Sequence, residues 1–152
     1  MERTLVLIKP DAVQRGLMGE IISRLERKGL QLVAMKMFWM DKELATKHYF
    51  EHTEKSFYPK LEEFVTSAPS IAMIWQGDSA ASIVRELIGA TDSRRAAAGT
   101  IRGDYGMSMR NNLVHASDCV ESANREMSLF FNEEEIFDHD MELAWWLGYD
   151  EG

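Results

Sequence analysis

Two residues, His115 and Glu126, set up the chemistry this sequence could do. Leu113-Val114 reads as a short apolar strand that carries His115 out of its end, and Ala116-Ser117-Asp118 turn the chain into a helix. Asp118 is a good N-cap, and Glu121 follows it at the capping-box spacing. Val120, Ala123, Met127, Phe130 and Phe131 fall on one stripe of that helix, which leaves Glu126 half-buried at the edge of the stripe. An acid that orients a histidine through one ring nitrogen leaves the other nitrogen to act as a nucleophile or base. A satisfied core histidine beside a solvated glutamate fits the same spacing.

Other candidates surround this pair. Lys9 and Asp11 sit at the mouth of the first strand, Arg85 projects from the apolar stripe of a later helix, and Arg102 lies in a long glycine-bearing loop with Arg94, Arg95 and Arg110. Arginines and a lysine converging on one point suit a polyphosphate. Thr91 and Asn112 add hydroxyl and amide groups. Phe57, Tyr58 and Leu61 cluster near Pro59, either packing a surface helix or clamping a flat ring such as a nucleobase. A histidine between phosphate and base could take a phosphoryl group and pass it on.

Several chemistries are absent. There is no G-x-x-x-x-G-K-[ST] run, no G-x-G-x-x-G and no protein-kinase motif set. Cys119 is the one cysteine, so no internal disulfide or paired-cysteine zinc site can form. His48 and His52 are four apart and could share a helical face, but no third ligand accompanies them, so both are expected to face solvent.

Composition sets the frame. The chain has 152 residues, 45% hydrophobic and 28% charged, with a net charge of −8. That predicts one globular domain over 1–152 and argues against a general nucleic-acid binder, without excluding a small anionic ligand in a locally basic pocket. The apolar run Leu5 to Ile8 is too short for a signal core or a membrane span. With the cysteine count, this points to the cytosol.

The elements that must position these residues read in order. Thr4 to Ile8 is a central strand buried on both faces, ended by Pro10. Met18, Ile21, Ile22 and Leu25 mark a helix over 19–28, with Gly29 closing it. Leu32 to Trp39 is a second strand, with Leu32, Ala34 and Phe38 on one side and Val33, Met35, Met37 and Trp39 on the other. Short helices follow at 41–47 and 49–66. Ser70 to Trp75 is a third strand, and Ala80, Ile83, Val84, Leu87 and Ile88 mark a helix ended by Gly89. Residues 90–112 have no clean periodicity, and a loop that long is usually functional. Residues 132–152 form an acidic tail anchored by Trp145, Trp146 and Leu147 against the core or a neighbouring subunit. The order is α+β, a ferredoxin-like βαββαβ with a four-stranded antiparallel sheet and helices on one face.

Four segments carry a family resemblance: TLVLIKPDAVQRGLMGEII (4–22), HYFEHTEKSFYPKLEEFV (48–65), GTIRGDYG (99–106) and NLVHASDCVESANREM (112–127). In this order they resemble the nucleoside diphosphate kinases along essentially the whole chain. The resemblance implies a ping-pong transfer of the terminal phosphate of a nucleoside triphosphate to a nucleoside diphosphate through a phosphohistidine on His115. It implies that Glu126, with Ser117, orients the histidine, that Lys9, Arg85, Thr91 and Arg102 hold the phosphates, and that Tyr49 lies close to His115. Lys9 and Asn112 would bind the sugar, and Phe57 and Leu61 the base, with Met109 on the rim. It further implies broad base use, Mg2+ held through the nucleotide phosphates with no protein cage, and a homo-oligomer, a hexamer in preference to a tetramer. Ser93 and Ala98 stand where prolines are common, which should loosen the unfolded loop and weaken assembly. The contrasting reading is a non-catalytic ferredoxin-like module that binds nucleotides or protein.

Overall fold

The computed structural model describes residues 1–149. Four strands, β1 (Glu2–Ile8), β2 (Gln31–Phe38), β3 (Ser70–Gly77) and β4 (Val114–Ala116), form one sheet in the order β2-β3-β1-β4. Every neighbouring pair is antiparallel. This is the ferredoxin-like arrangement expected from the element order.

Helices cover both faces of this sheet, not one. On one face α1 (Pro10–Gln14), α2 (Met18–Lys28), α5 (Ala80–Ile88) and α6 (Ile101–Tyr105) pack Ala12, Ile21, Leu25, Val84, Ile88 and Ile101 against Val6, Ile8, Met73 and Trp75. On the other, α3 (Lys42–His48), α4 (Tyr58–Val65) and α7 (Val120–Phe130) bring Ala45, Val65 and Phe130 onto Leu5, Leu7, Ala72 and Ile74. The cause is written in β1 and β3, whose successive residues are apolar and point alternately to opposite faces, so each face needs a cover.

Local chemistry sets the boundaries. Gly29 ends α2 at φ 110, a left-handed conformation natural to glycine. Asp41 caps α3, its carboxylate accepting from the Leu44 N–H at 2.8 Å. The expected helix over 49–66 shrinks to α4, and residues 49–57 run as turns. Pro59 belongs to the first turn of α4, and extending the helix upstream would drive its ring into the carbonyl four residues back.

In β2 a bulge between Leu32 and Ala34 puts Val33 and Ala34 into the same core, so the alternation expected through this strand slips by one residue there. Trp39 falls just outside β2. The acidic tail holds α8 (Ala144–Leu147). Leu147 packs over Gly29, but Trp145 and Trp146 are mostly exposed and do not anchor the tail to the core of this chain.

The loop over 90–112 is more ordered than its sequence suggests. It contains a 3-10 turn at Ser93–Arg95 and α6. Arg24 of α2 ties it down, reaching Asp104 at 2.7 Å, the Gly99 carbonyl at 3.2 Å and the Tyr105 hydroxyl at 3.3 Å.

Candidate active site

β4 is three residues long with His115 at its centre, opposite Leu7 of β1. The expected strand, Leu113-Val114 with His115 at its exit, is therefore shifted. Leu113 instead stands at φ 74 in a γ-turn closed by the Val114 N–H to the Asn112 carbonyl at 2.8 Å. The end of β1 grips that turn from both sides. The Leu113 N–H donates to Asp11 Oδ2 at 3.1 Å, and its carbonyl accepts from the Lys9 N–H at 2.9 Å.

Val114 and Ala116 point into the core beneath α5, so His115 must point to the opposite face, where α7 and α3 lie. There Glu126, buried to 6% exposure, meets His115 Nε2 at 3.2 Å through Oε1 and at 3.3 Å through Oε2. The Ser117 hydroxyl donates to Glu126 Oε2. Burial alone would raise the Glu126 carboxyl, but the hydrogen bonds and charge of His115 and the bond from Ser117 outweigh it, holding the group at about 2. Glu126 is thus an anion that fixes Nε2 as the N–H side of the ring. The described residues make no hydrogen bond to Nδ1, whose lone pair is left for chemistry.

The start of α7 differs from the capping-box expectation. Its N-cap is Cys119, whose side chain makes no capping bond, and Asp118 pairs instead with Arg85 at 3.3 Å. Val120, expected on the buried stripe, is 42% exposed.

A cationic floor lies beside His115. Arg102 is buried and donates to three main-chain carbonyls, Val114 at 2.7 Å, Gly89 at 3.0 Å and Asn112 at 3.2 Å. Burial, and then Arg85, pull its pKa down to about 10. Lys9 Nζ donates to Asn112 Oδ1 at 2.7 Å. Burial, and then Arg102, bring Lys9 to about 8. Asn112 Nδ2 in turn donates to the Thr91 carbonyl at 3.1 Å. Arg85 reaches the Ala116 carbonyl at 3.4 Å. Close positive charges that raise each other's cost are the mark of a site awaiting an anion.

A cleft of about 670 Å³ meets this floor at Lys9 and Asn112, while His115, Glu126, Arg85 and Arg102 lie outside its lining. Lys9, Tyr49, Thr91 and Asn112 form its inner end, and Phe57, Leu61 and Met109 its outer walls. Burial, and then Glu126, push the Tyr49 hydroxyl well above the usual phenol range. His52, Arg94, Met107, Ser108 and Arg110 also line the cleft and were not singled out from the sequence as site residues. For the last four the signal was the composition of the 90–112 loop, which does not say which side chains turn inward; His52 was expected in solvent and instead borders the cleft.

The sequence also missed His48. Expected in solvent, it is 4% exposed, because Leu44, Ala45 and His48 share the inner face of α3. Its ring lies 4.6 Å from that of His115. α3 ends at His48, so His48 and His52 do not share a helical face. His48, His115 and Glu126 do place ligand atoms within 4.8 Å of one another. Arg125 stands 3.9 Å from the same Glu126 oxygen, and the Lys9 charge also bears on His48, so a bare cation would be repelled.

A family profile for nucleoside diphosphate kinase matches residues 2–136. The chain belongs to the nucleoside diphosphate kinase family. Curated family members include the nucleoside diphosphate kinase of Archaeoglobus fulgidus, 57% identical over 136 residues, covering 90% of this chain and 90% of that protein. The nucleoside diphosphate kinase of Pyrococcus horikoshii is 54% identical, covering 95% and 94% respectively. The structure of a halophilic nucleoside diphosphate kinase from Halobacterium salinarum in complex with CDP superposes with a TM-score of 0.94 at 49% identity, covering 96% of this chain and 97% of that one. A nucleoside diphosphate kinase is an enzyme of phosphotransfer between nucleotides, and the family binds nucleotides and uses a divalent metal. Among the described residues, no helix is long and apolar enough to cross a membrane.

Proposed function

We propose that this nucleoside diphosphate kinase works in two halves, with His115 Nδ1 as the relay. The lone pair of Nδ1 attacks the γ-phosphorus of a nucleoside triphosphate, the bond to the β–γ bridging oxygen breaks, and the diphosphate leaves. A second nucleoside diphosphate then attacks the phosphohistidine through a β-phosphate oxygen, and the N–P bond breaks. The observation that carries this reading is the Ser117–Glu126–His115 chain, which holds Nε2 protonated and so presents Nδ1 as the nucleophile.

We assign the other roles from the family resemblance, with the positions described above in support. Lys9, Arg85, Thr91 and Arg102 hold the phosphates. Arg102 has two N–H groups left after its three carbonyl bonds, since a guanidinium carries five. Asn112 and Lys9 take the sugar hydroxyls, and Tyr49 closes the inner end beside His48, whose ring in turn meets that of His115. Phe57 and Leu61 hold the base, with Met109 at the rim.

Mg2+ is the divalent ion we assign, bound to the nucleotide and supplying charge neutralisation on the phosphates. The donor set fits that mode: Glu126 is committed to His115 and Ser117, Asp11 offers one unpartnered oxygen beside its bond from the Leu113 N–H, too few for a protein cage, and the cleft floor is cationic. The chain acts as a single domain over 1–152, cytoplasmic, in a closed homo-oligomer that we assign as a hexamer.

The test is incubation with γ-labelled ATP and magnesium beside His115→Ala. Label that is acid-labile, alkali-stable, absent from the variant and chased off by GDP or CDP supports the relay. Folded protein that never takes label overturns it. Sedimentation showing a monomer at micromolar concentration overturns the hexamer.

A further inference from the structure

His48 is the buried group that the phosphorelay leaves without a task. Its side chain is 1% exposed, and neither ring nitrogen has a hydrogen-bond partner among the described residues. Such a group is costly to bury. Its surroundings are those of an aromatic core position, edge-on to Phe130 at 5.2 Å, Tyr49 at 4.5 Å and His115 at 4.6 Å. A phenylalanine would satisfy that packing without the orphaned nitrogens. Stability alone therefore does not account for an imidazole here.

The nearest polar atom points to its use. His48 Nδ1 lies 3.9 Å from Glu126 Oε1, the oxygen that also meets His115 Nε2 at 3.2 Å. That is just beyond hydrogen-bond reach, and a small turn of the ring closes it. We propose that His48 is a positioning residue for phosphoryl transfer: its neutral ring fixes the plane of His115 and donates a further hydrogen bond to Glu126 as His115 takes the phosphoryl group.

The proposal rests on His115 being the phosphoryl carrier. Bonding at Nδ1 places positive charge on the His115 ring, and Glu126 balances it through Nε2–H. A donor on Glu126 that carries no charge of its own steadies the carboxylate without competing for its charge. Burial, and then the neighbouring His115, keep His48 neutral down to about 2. Arg125 already brings one charge to 3.9 Å from the same oxygen, at its more exposed side; a second charge, buried at the His48 position against the His115 ring, would repel the forming cation.

The experiment compares His48→Phe with His48→Asn in the full chain. Three quantities are read: thermal midpoint, the single-turnover rate of phosphohistidine formation with its ATP dependence, and the NMR resonance of the His115 Nε2–H. The phenylalanine variant is expected to melt at or above the unsubstituted protein. Its saturating rate should nonetheless fall about 10- to 100-fold, the scale expected when a reacting group is misplaced by about 1 Å. Its half-saturating ATP should stay within about twofold, since a group acting on the transition state moves rate more than binding. The asparagine variant, which keeps a donor near the Nδ1 position, should regain part of the rate despite a lower midpoint, and should restore the Nε2–H resonance that the phenylalanine variant shifts. Equal rates in the phenylalanine variant and the unsubstituted protein overturn the proposal, as do rates that simply follow the midpoints. If the phenylalanine variant does not fold, His48→Leu takes its place as the variant without a donor, and a rate and resonance equal to those of the asparagine variant count against the proposal. Failure of the unsubstituted protein to phosphorylate on His115 would instead overturn the relay itself.

Discussion

The corner around His115 and the outer cleft around Phe57 belong to one site but are built on opposite terms. In the corner the charged groups are held by fixed partners, with the His48 nitrogens and Asp11 Oδ1 the exceptions: Glu126 holds His115 and Ser117, Arg102 holds three carbonyls, and Lys9 holds Asn112. The outer walls are open. Phe57 is 51% exposed, Met109 58% and Met107 77%. Phosphoryl transfer needs in-line placement and charge in position beforehand, so the corner is rigid. On the proposed assignment, a base held mainly by the faces of Phe57 and Leu61 is gripped more than it is read, and the polar side chains that share the cleft, His52, Arg94, Ser108 and Arg110, are where any reading of its edge would have to come from. The contrast teaches that two parts of one surface can be differently made, one fixed in advance and one open.

The comparison can be broken most sharply at Glu126. Glu126→Gln keeps the shape but turns an amide N–H toward a donor, either His115 Nε2–H or the Ser117 hydroxyl. The rate of phosphohistidine formation should fall roughly 100-fold or more, the scale seen when the group orienting a catalytic histidine is neutralised. Single-turnover labelling measures it, and a loss below tenfold would mean the corner is not preorganised.

Next in size is Arg102→Lys, which keeps the charge and loses the fork. Carbonyls of Gly89, Asn112 and Val114 would be left short of donors, at about 1–3 kcal/mol for each one stranded. Urea unfolding should show several kcal/mol of lost stability, and an unchanged midpoint would sink this account of the floor.

On the other side of the comparison, Phe57→Ala should raise the half-saturating concentration of every nucleotide roughly 10-fold, for a lost stacking contribution of about 1–3 kcal/mol. The maximal rate should hold, and purine and pyrimidine nucleotides should suffer alike. Selective loss for one base class would show that the cleft reads after all.

The pH response sharpens the corner further. Lys9 sits at about 8 in the folded chain against an ordinary 10.5, so the folded state binds fewer protons between those values. Lys9 therefore contributes a stability that rises with pH from about 8 to 10.5. Nucleotide capture runs the other way, since it needs the charged lysine, and kcat/KM should decline above about pH 8. Lys9→Arg should move that limb upward. A profile that keeps its limb near 8 in this variant would assign it to another group.

The smallest effect lies in the loop that joins the two regions. Ala98→Pro should stabilise by about 0.4–1 kcal/mol through the unfolded chain. Ser93→Pro should not, because the Ser93 N–H donates to the Ser108 carbonyl at 3.4 Å and its side chain is packed against Gly106. Thermal midpoints of the two variants decide it.

What the sequence made legible was local or carried by motif. The apolar run of β1, the stripe of α2 with Gly29 behind it, and the pairing of His115 with Glu126 all lie within short stretches whose period is readable. What it hid depends on partners far along the chain. Asp118 has every mark of a helix cap, yet Arg85 from another helix claims it. His48 reads as a surface residue until α7 is packed against α3. Arg102 reads as a ligand, and only the fold reveals that it also holds three carbonyls together. The bulge in β2 leaves no trace in an apolar run that would suit either register.

Leu113 closes the argument between fold and chemistry. Its N–H is held by the Asp11 carboxylate and its carbonyl by the Lys9 N–H, while its own backbone is bent against the usual hand. Asn112 on one side and His115 two residues beyond it therefore cannot drift independently: they are geared together through a single bent residue. The gap between Asn112 and His115 is set like the span of a calliper locked by the residues that follow the first strand. On the proposed assignment, a nucleotide whose sugar fits the one jaw arrives already measured for the other.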